Sequence, residues 1–252
     1  MLLCLDIGNT NIVVAEVSDR IENLFRFSTK AKFTKDDIIS KLVSKNYENI
    51  IISSVVPSVN QVIEEIFIEA FNIKPLFVDI KMIHGIDILL DNPSELGSDL
   101  LVASVACKAL YGGNNIIIDL GTANKILVLL GNKFLGGAIT PGFMSSFEGL
   151  FSNAELLNTI PLDMPKKIVG SNTIECIQSG SIIGTASMIE KMVEKMKKEI
   201  EIKYQETDFH IILTGGNSIY VKDAIELDFE YCPDLLIYGL VELYKLNKWK
   251  EY

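Results

Sequence analysis

The phrase LLCLDIGNTNIVV at residues 2–14 has a near echo in IIIDLGTANKILVL at residues 116–129. In both, an apolar run breaks at an Asp, passes through Gly and Thr, and resumes as an apolar run. Apolar, turn, apolar is the pattern of a β-hairpin, because Asp, Gly and Asn all favour the turn between two strands. One copy needs no further explanation. Two copies, each opening a comparable length of chain, point to an internal repeat, with one half over residues 1–111 and the other over 112–252.

Such a hairpin also suits a phosphate. Glycine lets backbone come close to a ligand, and the exposed amides and the Thr10 or Thr122 hydroxyl can donate to phosphate oxygens. Asp6 and Asp119 fall where the first strand of each copy ends, placed to hold a magnesium ion directly or through water. Two loops facing each other across a cleft would grip a nucleotide's phosphates from both sides. A third stretch, ILTGGNS at residues 212–218, ends a strand in a Gly pair before a helix. Its glycines either admit a flat group such as adenine or ribose, or only mark a strand-to-helix turn.

The rest of the chain alternates strands and helices. Residues 2–5 and 12–17 read as the first hairpin, 49–53 as a buried strand, 61–71 as an apolar-striped helix and 76–78 as a further strand. After the breaks of NPSELGS a helix is expected over 99–110, and the second strand set starts at 115. A Gly131-Asn132 turn, a strand over 134–139, a helix after Gly142, a long helix over 173–198, a strand over 209–213 and a last helix over 235–246 complete the second half.

Composition narrows the functions. At 48% hydrophobic and 22% charged residues, the chain reads as an ordinary folded protein. A formal net charge of -10 disfavours DNA or RNA, whose binding needs a basic surface. A small anion remains open, since backbone amides and a metal ion can hold one phosphate. No apolar run approaches the roughly 18 residues of a membrane span, and Met1 leads directly into a strand without a basic segment, so a cytoplasmic protein is expected. Cys4, Cys107, Cys176 and Cys232 form no C-x-x-C pair, which suits a reducing compartment and reads as four small core residues. His84 and His210 have no carboxylate or cysteine cluster nearby in sequence and read as structural or surface groups.

The two hairpins and the late Gly pair resemble the actin-like ATPase fold, of ribonuclease H-like architecture. That resemblance implies an α/β protein of duplicated domains with a mixed sheet in each half. A narrower match covers nearly the whole chain. DIGNTN (6–11), SSVVPS (53–58), DNPSELGSD (91–99), DLGTA (119–123), GGAITPG (136–142) and IVGSNTIECIQSG (168–180) stand in an order that resembles type III pantothenate kinase. ILTGG and PDLLIYGL (233–240) extend the match towards the C-terminus.

The resemblance implies phosphorylation of pantothenate by ATP, the first step of coenzyme A synthesis, in a homodimer that needs Mg2+ and a monovalent cation such as K+ or NH4+. Asp99 would be the general base, since a primary hydroxyl needs a carboxylate to take its proton; standing alone it would read as a helix cap. Asp6, Gly8, Asn9, Thr10, Asn11 and Thr122 would handle the ATP phosphates, with Asp6 also at the magnesium and Asp119 at the monovalent cation. Gly97, Ser98 and Thr173 would meet pantothenate, with Thr173 reaching the site of the partner subunit; a plain N-cap is the other reading of Ser171, Asn172 or Thr173.

Four positions depart from the family's pattern. Leu100 stands where an Arg usually follows the Asp, Leu90 replaces a tyrosine, and Asn124 and Lys125 follow DLGTA where Thr or Ser is usual. A branched alkane cannot replace a guanidinium's fork of donors, although Lys125 could bring positive charge from another direction. A same-fold kinase of another small alcohol, or a nucleotide-binding regulator without catalysis, are the alternatives.

Overall fold

A computed structural model of the chain describes residues 1–30, 34–44, 46–152 and 160–248. It contains two compact units, Met1–Leu110 together with Leu235–Tyr252, and Tyr111–Asp234. The C-terminal segment thus belongs with the first unit, whereas the sequence reading placed it in the second half.

In the first unit, β1 (Leu2–Ile7), β2 (Asn11–Val17) and β3 (Ile21–Ser28) form an antiparallel meander. The short α1 (Lys35–Ile39) then leads to β4 (Asn49–Ser54), α2 (Pro57–Phe71), β5 (Leu76–Phe77), β6 (Asp87–Ile88) and α3 (Ser98–Leu110). β4 pairs with β1 in parallel and β5 with β4, so the sheet is mixed, in the order β3-β2-β1-β4-β5. β1 is apolar on both faces because helices and sheet partners cover both, as a central strand requires. Leu3, Leu5, Ile50, Ile52, Ile63 and Phe67 share one buried core.

The second unit repeats the plan. β7 (Asn115–Leu120), β8 (Ala123–Leu130) and β9 (Lys133–Pro141) form a second antiparallel meander. After α4 (Phe143–Ser152), α5 (Thr173–Gln178) and α6 (Gly184–Tyr204), β10 (His210–Thr214) pairs with β7 in parallel, and β11 (Glu230–Tyr231) with β10. The order within this unit, β9-β8-β7-β10-β11, is that of the first unit strand for strand. The duplication is therefore one of topology as well as of sequence.

The long helix expected over 173–198 is interrupted. A π-helical turn at Ser179–Ile183 separates α5 from α6, and α6 runs on to Tyr204. Ile182, Ile189 and Val193 are buried in the core of their own unit, with Met188 and Met192 packed against it. Finally α7 (Leu235–Asn247) lies on α3 and β1 of the first unit. Gly239 permits this, since any Cβ there would run into the Val102 backbone. Cys4, Cys107 and Cys232 are buried as expected, but Cys176 is exposed on α5, because α5 covers no core at that position. No helix among the described residues is long and apolar enough to cross a membrane.

Candidate active site

The first loop sits between β1 and β2, where Asp6 is half-buried and Asn9, Thr10 and Asn11 are exposed. Gly8 N–H donates to the Asn11 carbonyl at 3.0 Å and closes the turn. Thr29, just past β3, holds it from the side: its Oγ1 donates to the Gly8 carbonyl at 2.7 Å and its N–H to the Thr10 carbonyl at 2.9 Å. With those carbonyls tied back, the loop is held in one conformation.

The second loop closes in the same way, with Gly121 N–H donating to the Ala123 carbonyl at 3.1 Å. Here the brace comes from the late Gly pair. Asn217 N–H donates to the Leu120 carbonyl and Asn217 Nδ2 to the Gly121 carbonyl, each at 2.8 Å. Gly215 has φ +91°, and a Cβ there would stand 2.5 Å from both Asp119 Oδ1 and the Leu120 nitrogen. ILTGGNS therefore braces the second hairpin loop, a service neither glycine nor asparagine revealed in sequence.

The two copies differ opposite the aspartate. Asp6 faces Val13 across the hairpin, whereas Asp119 faces Lys125. Lys125 Nζ donates to Asp119 Oδ2 at 2.9 Å, with side-chain exposures of 18% and 13%. Asn124, another departure from the family's pattern, is buried and has a structural task. Its Nδ2 donates to the Pro141 carbonyl at 3.1 Å and its Oδ1 accepts from Phe143 N–H at 3.3 Å, binding the end of β9 and the start of α4 to β8. The GGAITPG glycines serve packing as well: a Cβ on Gly137 would strike the Ile126 carbonyl, and one on Gly142 the Thr122 carbonyl. A groove of about 270 Å3 lies beside Gly136 and Gly137, walled by Met196, Lys203 and Tyr204 of α6.

Asp99 opens α3 in the first unit. Gly97 gives its carbonyl to the N–H groups of Leu100 and Leu101, each at 3.1 Å, while Asp99 Oδ1 folds back over Gly97 and accepts from Leu100 N–H at 2.9 Å. Ser98 fastens the turn, its Oγ lying 3.0 Å from the Ser54 carbonyl and 3.2 Å from Ser53 Oγ. Ser53 is the β4 residue paired with Asp6, so this contact carries Asp99 to the strand ends that bear Asp6. Asp99, Leu100 and Leu90 are all half-buried.

Thr173 is exposed at the first turn of α5, and Asn172 is the N-cap: its Oδ1 accepts from Glu175 N–H at 3.0 Å. Glu175 accepts in turn from Ser171 N–H and Oγ and lies 3.3 Å from Lys167. Those hydrogen bonds, with the lysine, pull its carboxyl down to about 2. Gln178 and Ser179 pin the preceding segment through the Pro161 and Ile168 carbonyls, at 2.9 and 2.6 Å.

The sequence profile described as type III pantothenate kinase matches residues 2–195. The chain belongs to the type III pantothenate kinase family. A type III pantothenate kinase of Acholeplasma laidlawii is 34% identical over 98% of this chain and 99% of its own, and one of Geobacillus kaustophilus is 35% identical over the full length of both. Among solved structures, a Campylobacter jejuni protein described as a Baf family transcriptional activator superposes with a TM-score of 0.61 at 18% identity, covering 98% of each chain. An activator of 2-hydroxyisocaproyl-CoA dehydratase from Clostridium difficile, with bound ADPNP, gives 0.51 at 12% identity over 99% of this chain and 96% of its own. These likenesses agree with the duplicated actin-like ATPase fold.

Measured against this kinase family, the two implied cations fare differently. Magnesium needs little protein, usually one or two carboxylates besides phosphate and water. Asp6, half-buried at the end of β1 beside the first loop, fits it, and among the described residues no cluster of three His, Cys, Asp or Glu offers an alternative. At Asp119 the donor set does not fit a monovalent ion. One carboxylate oxygen holds an ammonium of the chain's own, and the other lies close under Gly215.

Proposed function

We propose that this chain transfers the γ-phosphoryl group of ATP to the primary hydroxyl of pantothenate, in the cytoplasm, as the first step of coenzyme A synthesis. The observation that carries this reading is the Ser98 anchor, which sets a candidate base beside the strand end of a phosphate loop in a chain of this kinase family. Phosphoryl transfer passes through a loose, in-line transition state, so the protein contributes chiefly position and charge. Asp99 would accept the hydroxyl's hydrogen bond, orient its oxygen towards the γ-phosphorus and take the proton late in the transfer. The amide of Asn9, the side chain of Asn11 and the hydroxyls of Thr10 and Thr122 would donate to phosphate oxygens, with Gly8, whose own N–H closes the turn, letting the backbone come close. Asp6 would hold magnesium, which neutralises charge on the β- and γ-phosphates. Gly97 and Ser98 would border the acceptor.

We also propose a homodimer in which Thr173 reaches the partner's pantothenate site. With Asn172 serving as the cap, the Thr173 hydroxyl is not needed for capping. Nearby Ile168, Val169 and Ile174 are exposed at 72%, 82% and 46%, apolar surface that a second subunit would cover. The long stripe on α6 lends no support, because it is spent inside its own unit.

Leu90 and Leu100 favour one rival, a kinase of the same fold acting on a less polar alcohol. Measuring ADP release with pantothenate, then with a panel of small primary alcohols, decides between them. Turnover confined to another alcohol overturns the pantothenate assignment, and turnover with none leaves a nucleotide-binding regulator.

A further inference from the structure

The carboxylate to which the family resemblance assigns a monovalent cation already carries a cation of the chain's own. Asp119 and Lys125 are direct cross-strand partners in the β7–β8 hairpin, so both side chains leave the same face and the lysine needs no detour to reach Oδ2 at 2.9 Å. The pair is mostly shielded from water, at 18% and 13% exposure, so solvent and salt screen it weakly. Oδ1 lies close under Gly215, where an added Cβ would stand 2.5 Å from it. A potassium ion at this carboxylate would have to displace the ammonium or sit beside a like charge in a poorly screened place. Nor is the lysine part of what makes the hairpin fold, since the equivalent residue in the first copy is Val13.

We propose that Lys125 is a tethered ammonium ion at Asp119, doing at the root of the second phosphate loop what a free K+ or NH4+ would otherwise do, so that this chain needs no monovalent cation. An ammonium on a side chain has the charge and nearly the size of the free ions, and its local concentration does not depend on the medium. The loop at 121–123 begins two residues from Asp119, so the charge that steadies it is built into the chain.

The inference rests on the kinase reading only for turnover, and nucleotide binding tests it separately. ADP and ATP affinity, by calorimetry, and turnover should be measured in KCl, NH4Cl, NaCl and tetramethylammonium chloride at one ionic strength. The natural chain should agree across the four salts within about twofold, whereas Lys125→Met should lose about tenfold or more in nucleotide affinity in tetramethylammonium and recover it saturably with K+ or NH4+. The double variant Asp119→Asn/Lys125→Met removes the carboxylate as well and should show no recovery; its melting curve reports whether the hairpin folds without the pair. Saturable activation of the natural chain by K+ overturns the proposal, and so does a Lys125→Met chain that binds nucleotide normally in every salt. If Lys125→Met does not fold, the salt series on the natural chain decides alone. Failure to phosphorylate pantothenate in any salt would sink the kinase reading and leave the binding arms intact.

Discussion

Ser98 Oγ donates to the Ser54 carbonyl at 3.0 Å, and this bond joins the turn that carries Asp99 to the β4 residue paired with Ile7, one place on from the Ser53–Asp6 pair. Such an anchor would serve the base proposed at Asp99 more than a cap. A cap has only to satisfy its own helix, whereas a base must be held against another element.

Asp99→Asn should therefore fold and bind ATP while turnover falls by roughly a hundredfold or more, since the amide is nearly isosteric but cannot take a proton. Melting temperature, ATP affinity and kcat should be measured together. Near-normal kcat would reduce Asp99 to the acceptor of the Leu100 amide.

Leu100→Arg tests the acceptor pocket. A charged hydrogen bond is worth about 1.5–3 kcal/mol, roughly ten- to a hundredfold in affinity. If the pocket merely lacks its arginine, KM for pantothenate should drop by that order while KM for ATP stays put. A folded Leu100→Arg chain that uses pantothenate less well would mean a pocket reshaped around leucine.

Shared sites predict complementation. Mixing an Asp99→Asn chain with a Thr173→Ala chain gives hybrid dimers with one doubly defective and one intact site, so verified hybrids should recover about half the natural turnover. No recovery would show that each chain completes its own site.

Glu16 sets an acid limit on the first unit. Buried in β2, it accepts from Asn23 Nδ2, Val43 N–H, Ser44 N–H and Tyr47 OH, all within 2.7–2.8 Å. Burial alone would raise its carboxyl, but the four donors outweigh burial and hold it below the usual value. Stability from this group is present above the unfolded pKa of about 4.3 and is lost as pH falls through the lower folded value. Tyr47 is displaced upward by burial and by the same carboxylate, so its share is lost on the alkaline side, above about 10. Glu16→Gln should cost about 2 kcal/mol, a melting shift of roughly 4–8 °C, and flatten the acid limb of the stability curve. An unchanged melting temperature at pH 7 would refute this account.

The repeat was legible because an Asp-Gly turn between apolar runs leaves a strong local signature, and the parallel strands read as buried runs. β3 was not, because it is the edge of its sheet: polar Asn23 stands half-buried at an inward position and breaks its apolar alternation. With β3 went Thr29, the brace of the first loop. The five-residue α1 is too short for a period, although its Thr34–Asp37 capping box is visible once sought. Glu16 looks like an outward residue of a hairpin, and its donors at 43–47 are distant in sequence. Asp119 and Lys125 were both noted, but pairing them requires the hairpin register. The second loop is one residue shorter than the first, which puts residue 125 opposite 119 but residue 13 opposite 6.

The packing of α7 on α3 bears on how the chain is made. The second unit is one uninterrupted stretch, Tyr111–Asp234, whereas the first joins Met1–Leu110 to Leu235–Tyr252. During synthesis, the half carrying Lys125 is complete in sequence before the closing helix of the half carrying Asp6 and Asp99 is made. A chain released before Leu235 would hold the whole downstream unit and an upstream sheet with α3 uncovered, the species most in need of a chaperone.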